Sequence, residues 1–540
     1  MKVMHRGVVM SKRGMVCSAH PLSSWVGADV LNKGGNAMDA TIAMALATGV
    51  VLPDMCGLGG DAFMLYYEGK TGKVYAINGS GGAPANATRE YFVSNGYKRI
   101  PGTGMLSTTV PGAVGVYFKS LSLFGSMEFK DLASYAIKYA EEGIPVSQKV
   151  HRHMRIELEK LRAFQSTAKI FLKNGEPYKP GEILKNPDYA NSLKTICKQG
   201  EDSFYKGELA HKILDYSKSH GGLYEASDFA AYKPVLCEPI KTEYRGYTVY
   251  QTPPVSQGVI VLEELNILEG YDLKSIGADC ADSIHLMVES KKLAFADRIK
   301  YFGDPDFVKN PIKGVLSKEY ADALRKRIDI NNANFKNLDV CPYDYDGDTT
   351  SMVAVDKWGN AVSFIHSISA SFGCGEVIEG TGILLNNRAG TGFNLTKGHP
   401  NCIAPGKKTM HTLNTWLITK NGKLKWVGNT PGGDNQPQWN MQLIVNLIDF
   451  EMNVQEAVEA PKWIDVQSTN PLDGWDGKTE LRIESRISEE VINELKKKGH
   501  KVVLLEPYGA SGASQVIEVN DDGVMFGGSD PRADGCAIGI

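Results

Sequence analysis

The segment YDYDGDTTSMVAVDKWGNAVSFIHS, residues 343–367, sets two adjacent hydroxyls, Thr349 and Thr350, between an acidic, glycine-containing stretch and a run that reads as a β-strand. A threonine hydroxyl is a poor nucleophile until a base takes its proton. No His–Asp partnership stands near Thr349 in the sequence. A cut in the peptide bond before Thr349 would supply a base. The new α-amino group has an unperturbed pKa of about 7.7–8.0, so a substantial part is neutral near physiological pH. The strand would hold amine and hydroxyl as one unit. The same hydroxyl can make the cut by attacking the preceding carbonyl, at Asp348, to form an ester that water opens. A loop-to-strand junction suits this, because the carbonyl can be held strained and accessible. Thr350 would then help orient its neighbour. The plainer alternative is that Thr-Thr merely opens a strand, which threonine favours.

A second element bears on the choice. GNTPGGDNQPQWN places Gly432 and Gly433 between an expected strand and an expected helix. Backbone amides near a helix start can face a developing oxyanion, and glycine lets the chain approach closely. GLGGDAF, by contrast, lacks the lysine and hydroxyl of a phosphate loop and the spacing of a dinucleotide fingerprint. His151 and His153, in HRHM, have no placed carboxylate or cysteine partners and read as surface histidines rather than metal ligands.

These residues need elements to hold them. AFMLYY and KVYAIN read as strands joined by a turn over residues 68–72. AMDATIAMALATGVVL, residues 37–52, is too short and too charged for a bilayer span and reads as a close-packed core helix entered through Gly34-Gly35-Asn36. Residues 132–219 are mainly helical. A long amphipathic helix is expected from about Asp282 or Ser283. Residues 331–348 are polar and turn-rich, as a linker would be. Beyond them come a strand pair about the turn 356–360, a hairpin across Asn421-Gly422, the helix WNMQLIVNLIDFE and a hairpin turning at residues 521–523. No fixed-period repeat is present. Strands and helices in both halves suggest layered sheets with helices outside.

Composition narrows the class. With 540 residues, 42% hydrophobic and 22% charged, the chain can build a sizeable core. A net charge of −3 gives no basic surface for nucleic acid or an anionic membrane. Nine cysteines, an odd number with no C-x-x-C pair, argue against a disulfide framework or a zinc knuckle. The start has no continuous apolar stretch of signal-peptide type. A cytoplasmic protein with reduced thiols is the simplest expectation.

Taken together, GGNAMDATIAMALA, GLGGDAFM, VPGAVGVY, YRGYTVYQTPPVSQG, TTSMVAVDKWGNAVSF, GILLNNR, TPGGDNQ and SDPR resemble, in order and in register, the γ-glutamyltransferase family of N-terminal-nucleophile hydrolases. The resemblance runs from about Gly14 to Pro531. It implies an α+β fold, a four-layer αββα sandwich, and autoproteolysis into fragments 1–348 and 349–540 that stay associated. It implies Thr349 as nucleophile, Gly432 and Gly433 as oxyanion hole, and Ser367 where the family usually has a second threonine bonded to the nucleophile. It implies no metal or organic cofactor.

The departures concern substrate. Ser80 stands at the position of the arginine that holds the α-carboxylate of glutathione-type substrates, and the acid that follows LNN is missing from LLNNRAGTGF. His411 and Thr412 align with the family's carboxylate-binding serines, and Asp434 follows the glycine pair. A zwitterionic γ-glutamyl head is costly to bury without partners at both ends. Arg388 reads either as a replacement cation, its fork suited to a carboxylate, or as a structural ion pair. The pattern resembles a cytoplasmic branch of the family that includes oxamate amidohydrolase. The expected activity is hydrolysis of a small amide bearing a nearby carboxylate, oxamate-like. Glutathione hydrolase or γ-glutamyltransferase activity, and an uncut binding protein, are the alternatives. Dimers of the processed pair remain open.

Overall fold

The computed structural model describes residues 4–334, 349–467 and 479–540. Asp348, Cys341 and most of the expected linker therefore lie outside the described residues. The fold is α+β, built on two seven-stranded antiparallel sheets. The first runs in the order Val9–Ser11, Met525–Ser529, Gln515–Val519, Lys423–Asn429, Trp416–Lys420, Tyr247–Gln251, Ile240–Tyr244. The second runs Cys536–Gly539, Gly14–Ser18, Thr350–Asp356, Ala361–Ser367, Asp61–Tyr67, Val74–Asn78, Val235–Cys237. Segments from before and after residue 349 interleave in both sheets.

The central strands are buried on both faces, which is why they read as continuous apolar runs. Side chains alternate between the faces. Val353, Val355, Leu65 and Cys17 point from the second sheet toward Leu417, Val427 and Ile517 of the first, forming one cluster between the sheets. Met352, Ala354, Val362 and Phe364 point the other way, into helices. The first sheet does the same with Val249, Trp416, Ile418 and Val516, which join a helical cluster on its far side.

The helix Ala37–Val51 lies against the second sheet with every residue buried. It is a core helix, as its small residues suggested. Asn36 caps it in a box with Asp39: Asn36 Oδ1 accepts from the amides of Met38 and Asp39, and Asp39 Oδ2 accepts from the Asn36 amide at 2.9 Å. The Ala37 amide donates to Asp356 Oδ2 at 2.9 Å, which ties the helix start to the end of the strand that Thr350 begins. No helix among the described residues is long and apolar enough to cross a membrane. The eight described cysteines are free thiols.

The hairpins across Asn421-Gly422 and residues 521–523 form as expected, and Asn421 and Gly422 both take positive φ. The long helix departs from expectation. It begins at Ala281 and is buried over most of its length. Charges survive inside because each has a partner: Lys291 with Asp465 at 2.9 Å, Lys292 with Glu289 at 2.7 Å, Arg298 with Asp434 at 2.6 Å.

Removing the cap that starts the central helix should be felt as a loss of stability. Asn36→Ala is expected to cost about 1 kcal/mol, read as a lower urea midpoint with an unchanged slope.

Candidate active site

Strand register builds the site. Thr350 pairs with His366, and Ser367 pairs with Asp61 on the next strand. One further step along the first ladder sets Thr349 opposite Ser367. By alternation, Thr349, Ser367 and Asp61 share the face toward the other sheet. Thr349 is buried, and its Oγ1 donates to Ser367 Oγ at 3.2 Å. Thr350 falls on the opposite face with His366. Its hydroxyl is buried without a hydrogen-bond partner among the described residues, so it does not orient Thr349 as the sequence suggested.

Ser367 leads to a buried polar group. Its Oγ accepts from the Ser369 amide at 2.8 Å and from Arg388 Nη2 at 3.5 Å. Arg388 Nη1 donates to Thr412 Oγ1 at 3.0 Å, and Arg388 Nε stands 3.8 Å from Asp61 Oδ2 without a hydrogen bond. Asp61 is fully buried; Oδ1 accepts from the Gly81 amide and Oδ2 faces His411 Nε2 at 3.1 Å. Burial, and then the Arg388 charge, push the His411 pKa down to about 4 against the pull of Asp61. Burial also lowers Arg388, to about 10, so the guanidinium stays charged at neutral pH with Asp61 and Asp434 opposing the shift. Ser80 is buried, and its hydroxyl donates to the Gly81 carbonyl at 3.4 Å. It touches this group only through the adjoining amide.

Gly432 lines a cavity with Thr349, and Gly433 follows it. Gly432 has φ +132 and Gly433 φ +54. A Cβ on Gly432 would stand 2.1 Å from a ring carbon of Trp439. Both glycines are needed for the turn, which enters a 3-10 turn over Gly433–Asn435 before the helix Gln436–Ile448. Neither amide donates to another described residue. The Gly433 carbonyl accepts from Gln257 Nε2 at 3.2 Å, and Gln257 Nε2 also donates to the Thr412 carbonyl. Gln257 Oε1 and Asp434 Oδ1 both accept from Arg298 Nη1. Asp434 therefore meets a cation of its own chain.

Thr349 and Gly432 line one cavity of about 50 Å³ with Met55, Lys149, His153 and Ser511. His153 is not a bare surface histidine: its Nδ1 meets Oδ2 of the fully buried Asp54 at 2.5 Å. The two residues are 99 positions apart, and no spacing rule links them. Asp61 was likewise hidden, inside the glycine loop GLGGDAF. That loop serves close packing. A Cβ on Gly60 would stand 2.4 Å from the Ser367 carbonyl, and the Gly60 carbonyl accepts from the amides of Gly112 and Ala113. The sequence also did not suggest the buried cluster of His285, Glu289 and His500. His285 bonds His500 and the Asp329 carbonyl, and Glu289 accepts from Lys292.

Residues 23–540 match the family model described as Gamma-glutamyltranspeptidase. The chain is 37% identical over 540 residues to the glutathione hydrolase-like YwrD proenzyme of Bacillus subtilis (strain 168), covering 99% of this chain and all of the relative. It is 33% identical over 538 residues to the oxamate amidohydrolase proenzyme of Klebsiella pneumoniae, covering 98% and 99%. The crystal structure of cephalosporin acylase from Bacillus halodurans superposes with a TM-score of 0.91 at 35% identity, over 100% of this chain and 98% of that one.

Two measurements probe this site. Gly432→Ala should lower the thermal midpoint, because overpacking and a positive φ together cost on the order of 1–3 kcal/mol or more. Acid sensitivity follows from His411 and His366, both buried and lowered to about 4. An unfolded histidine titrates near 6.5. Between about 6.5 and about 4 the unfolded chain binds protons that the folded chain refuses. Their contribution is intact above that window and falls as pH drops through it. Unfolding free energy measured against pH should show this decline, with a shallower slope in His411→Gln.

Proposed function

This chain belongs to the gamma-glutamyltranspeptidase family and is an amide hydrolase; on that premise we propose an autoprocessed threonine amidohydrolase acting on a small, carboxylate-bearing amide of oxamate type. Thr349 is its nucleophile. The chain is cut between Asp348 and Thr349, and fragments 1–348 and 349–540 remain associated in a four-layer αββα sandwich. The helical clusters on the outer faces of both sheets support that layering. The interleaved strands support the association. The free thiols are in keeping with a cytoplasmic setting.

In the mature protein the Thr349 amine takes the hydroxyl proton as Oγ1 bonds to the substrate carbonyl carbon. The Gly432 and Gly433 amides stabilise the oxyanion. The proton passes to the leaving nitrogen, the amide bond breaks, and water releases the acyl ester. Ser367 orients the nucleophile.

One observation carries the substrate class. Arg388 is buried, bonded to the hydroxyl that holds Thr349, and keeps an Nε–H without a hydrogen bond. A desolvated cation linked to Thr349 through the Ser367 hydroxyl selects a short acid, its carboxylate met by Arg388 and Thr412. The position of Ser80 offers no second cation for a γ-glutamyl carboxylate. Asp434, held by Arg298, and His411, held by Asp61, line the substrate side.

Thr349→Ala should remain a single chain on a denaturing gel, while the wild type yields fragments whose masses match 1–348 and 349–540. In a panel, oxamate and related amides should be turned over in preference to glutathione and γ-glutamyl anilides. Arg388→Gln should lower kcat/KM for the carboxylate-bearing substrates by about 10- to 100-fold. Preference for γ-glutamyl compounds would instead favour the glutathione hydrolase reading.

A further inference from the structure

Two histidines and a carboxylate converge in the helical layer on the far side of the first sheet. His285 and Glu289 stand four residues apart on the helix Ala281–Tyr301, so they share one face. His500 comes from far along the chain. It follows the helix Glu489–Lys497, and its amide bonds the Leu495 carbonyl at 3.1 Å. All three residues are buried, and one ligand atom from each lies within 4.8 Å of the other two. Ile284, Leu286 and Leu495 beside them belong to the apolar cluster of that layer.

Hydrogen bonds place the ring protons. A carbonyl only accepts, so His285 Nε2, 2.8 Å from the Asp329 carbonyl, carries a proton and leaves the lone pair on Nδ1. That Nδ1 faces His500 Nε2 at 2.8 Å. A histidine that gives one N–H to a backbone carbonyl and turns its other nitrogen to a shared centre is oriented as metal ligands are. Glu289 completes the centre without a hydrogen bond to either ring among the described residues. Its oxygens accept from Lys292 Nζ at 2.7 Å and from the Asn334 amide at 3.3 Å.

We propose that His285 Nδ1, His500 Nε2 and a Glu289 oxygen bind a structural zinc ion, with water as the fourth ligand. Two imidazoles and one carboxylate are donors that zinc takes in tetrahedral geometry. Zinc bonds of about 2.0–2.2 Å set such donors roughly 3.3–3.5 Å apart, which side-chain shifts under about 1 Å reach from here. On binding, the His500 proton sits on Nδ1 and Nε2 gives its lone pair. Lys292 is the internal competitor for Glu289, and it has the Asn334 carbonyl as a second acceptor at 3.3 Å. The ion ties the long helix to the small sheet of Trp463–Gln467, Thr479–Glu484 and Val502–Leu505, which His500 adjoins.

The test uses the full chain, stripped with a chelator and titrated with zinc alone. One equivalent should bind per chain and raise the thermal midpoint. Zinc-edge X-ray absorption should show two imidazoles beside oxygen donors. His500→Gln should weaken binding by about a hundredfold or more, beyond the loss of an outer partner. Lys292→Met keeps all three ligands and removes the competing cation, so it should tighten binding by about tenfold or more. A wild-type midpoint that ignores zinc overturns the proposal. So does an absorption edge without imidazole, or a His500→Gln chain that binds as tightly as the wild type. The three groups would then be a polar bridge and nothing more.

Discussion

A pleated strand sends neighbouring side chains to opposite faces, and this site depends on which face Thr349 receives. The ladder that pairs Thr350 with His366 turns Thr350 into the helical cluster and leaves Thr349 facing the space between the sheets. There it meets Ser367 and, one strand further, Asp61. A slip of one residue would exchange the two threonines and send the wrong hydroxyl inward. The register is held by the apolar sets on both faces of these strands, so the packing of the core and the aim of the Thr349 hydroxyl are one problem.

That interior is a poor place for charge, and the molecule answers with linked partners. Asp61 sits among the Gly81 amide, His411 and, at longer range, Arg388. His411 stays neutral because burial and Arg388 both disfavour its charged form. Among the described residues, Arg388 has the Asp61 and Asp434 carboxylates only at longer range and two hydroxyls close by. A buried cation with so little compensation is expensive unless an anion completes it.

Much of this was legible in the chain. The core helix entered through Gly34-Gly35-Asn36, the hairpin at Asn421-Gly422 and the strand after Thr349 follow from local rules of propensity and alternation. The glycine pair was legible because φ values such as those of Gly432 and Gly433 favour that residue. What stayed hidden was tertiary. His153 and Asp54 meet only because a helix and the turn after Val51 converge, and Asp61 looked like one more residue of a glycine loop. Thr350 misled because adjacency in sequence suggests cooperation, whereas in a strand it means separation. Asp434 was expected beside the substrate, and no spacing linked it to Arg298, 136 positions away, which it meets at 2.6 Å.

The interleaving of both sheets bears on folding as well as on architecture. An intact chain folds in a first-order process, with every strand tethered to its partners at high effective concentration. If the proposed cut ahead of Thr349 is made, the same native state would become a heterodimer whose unfolding liberates two particles. Its equilibrium then shifts with dilution, and recovery after denaturation requires two half-built sheets to find each other. The precursor would thus act as its own assembly chaperone, and the cut would make the finished protein easier to lose than to remake.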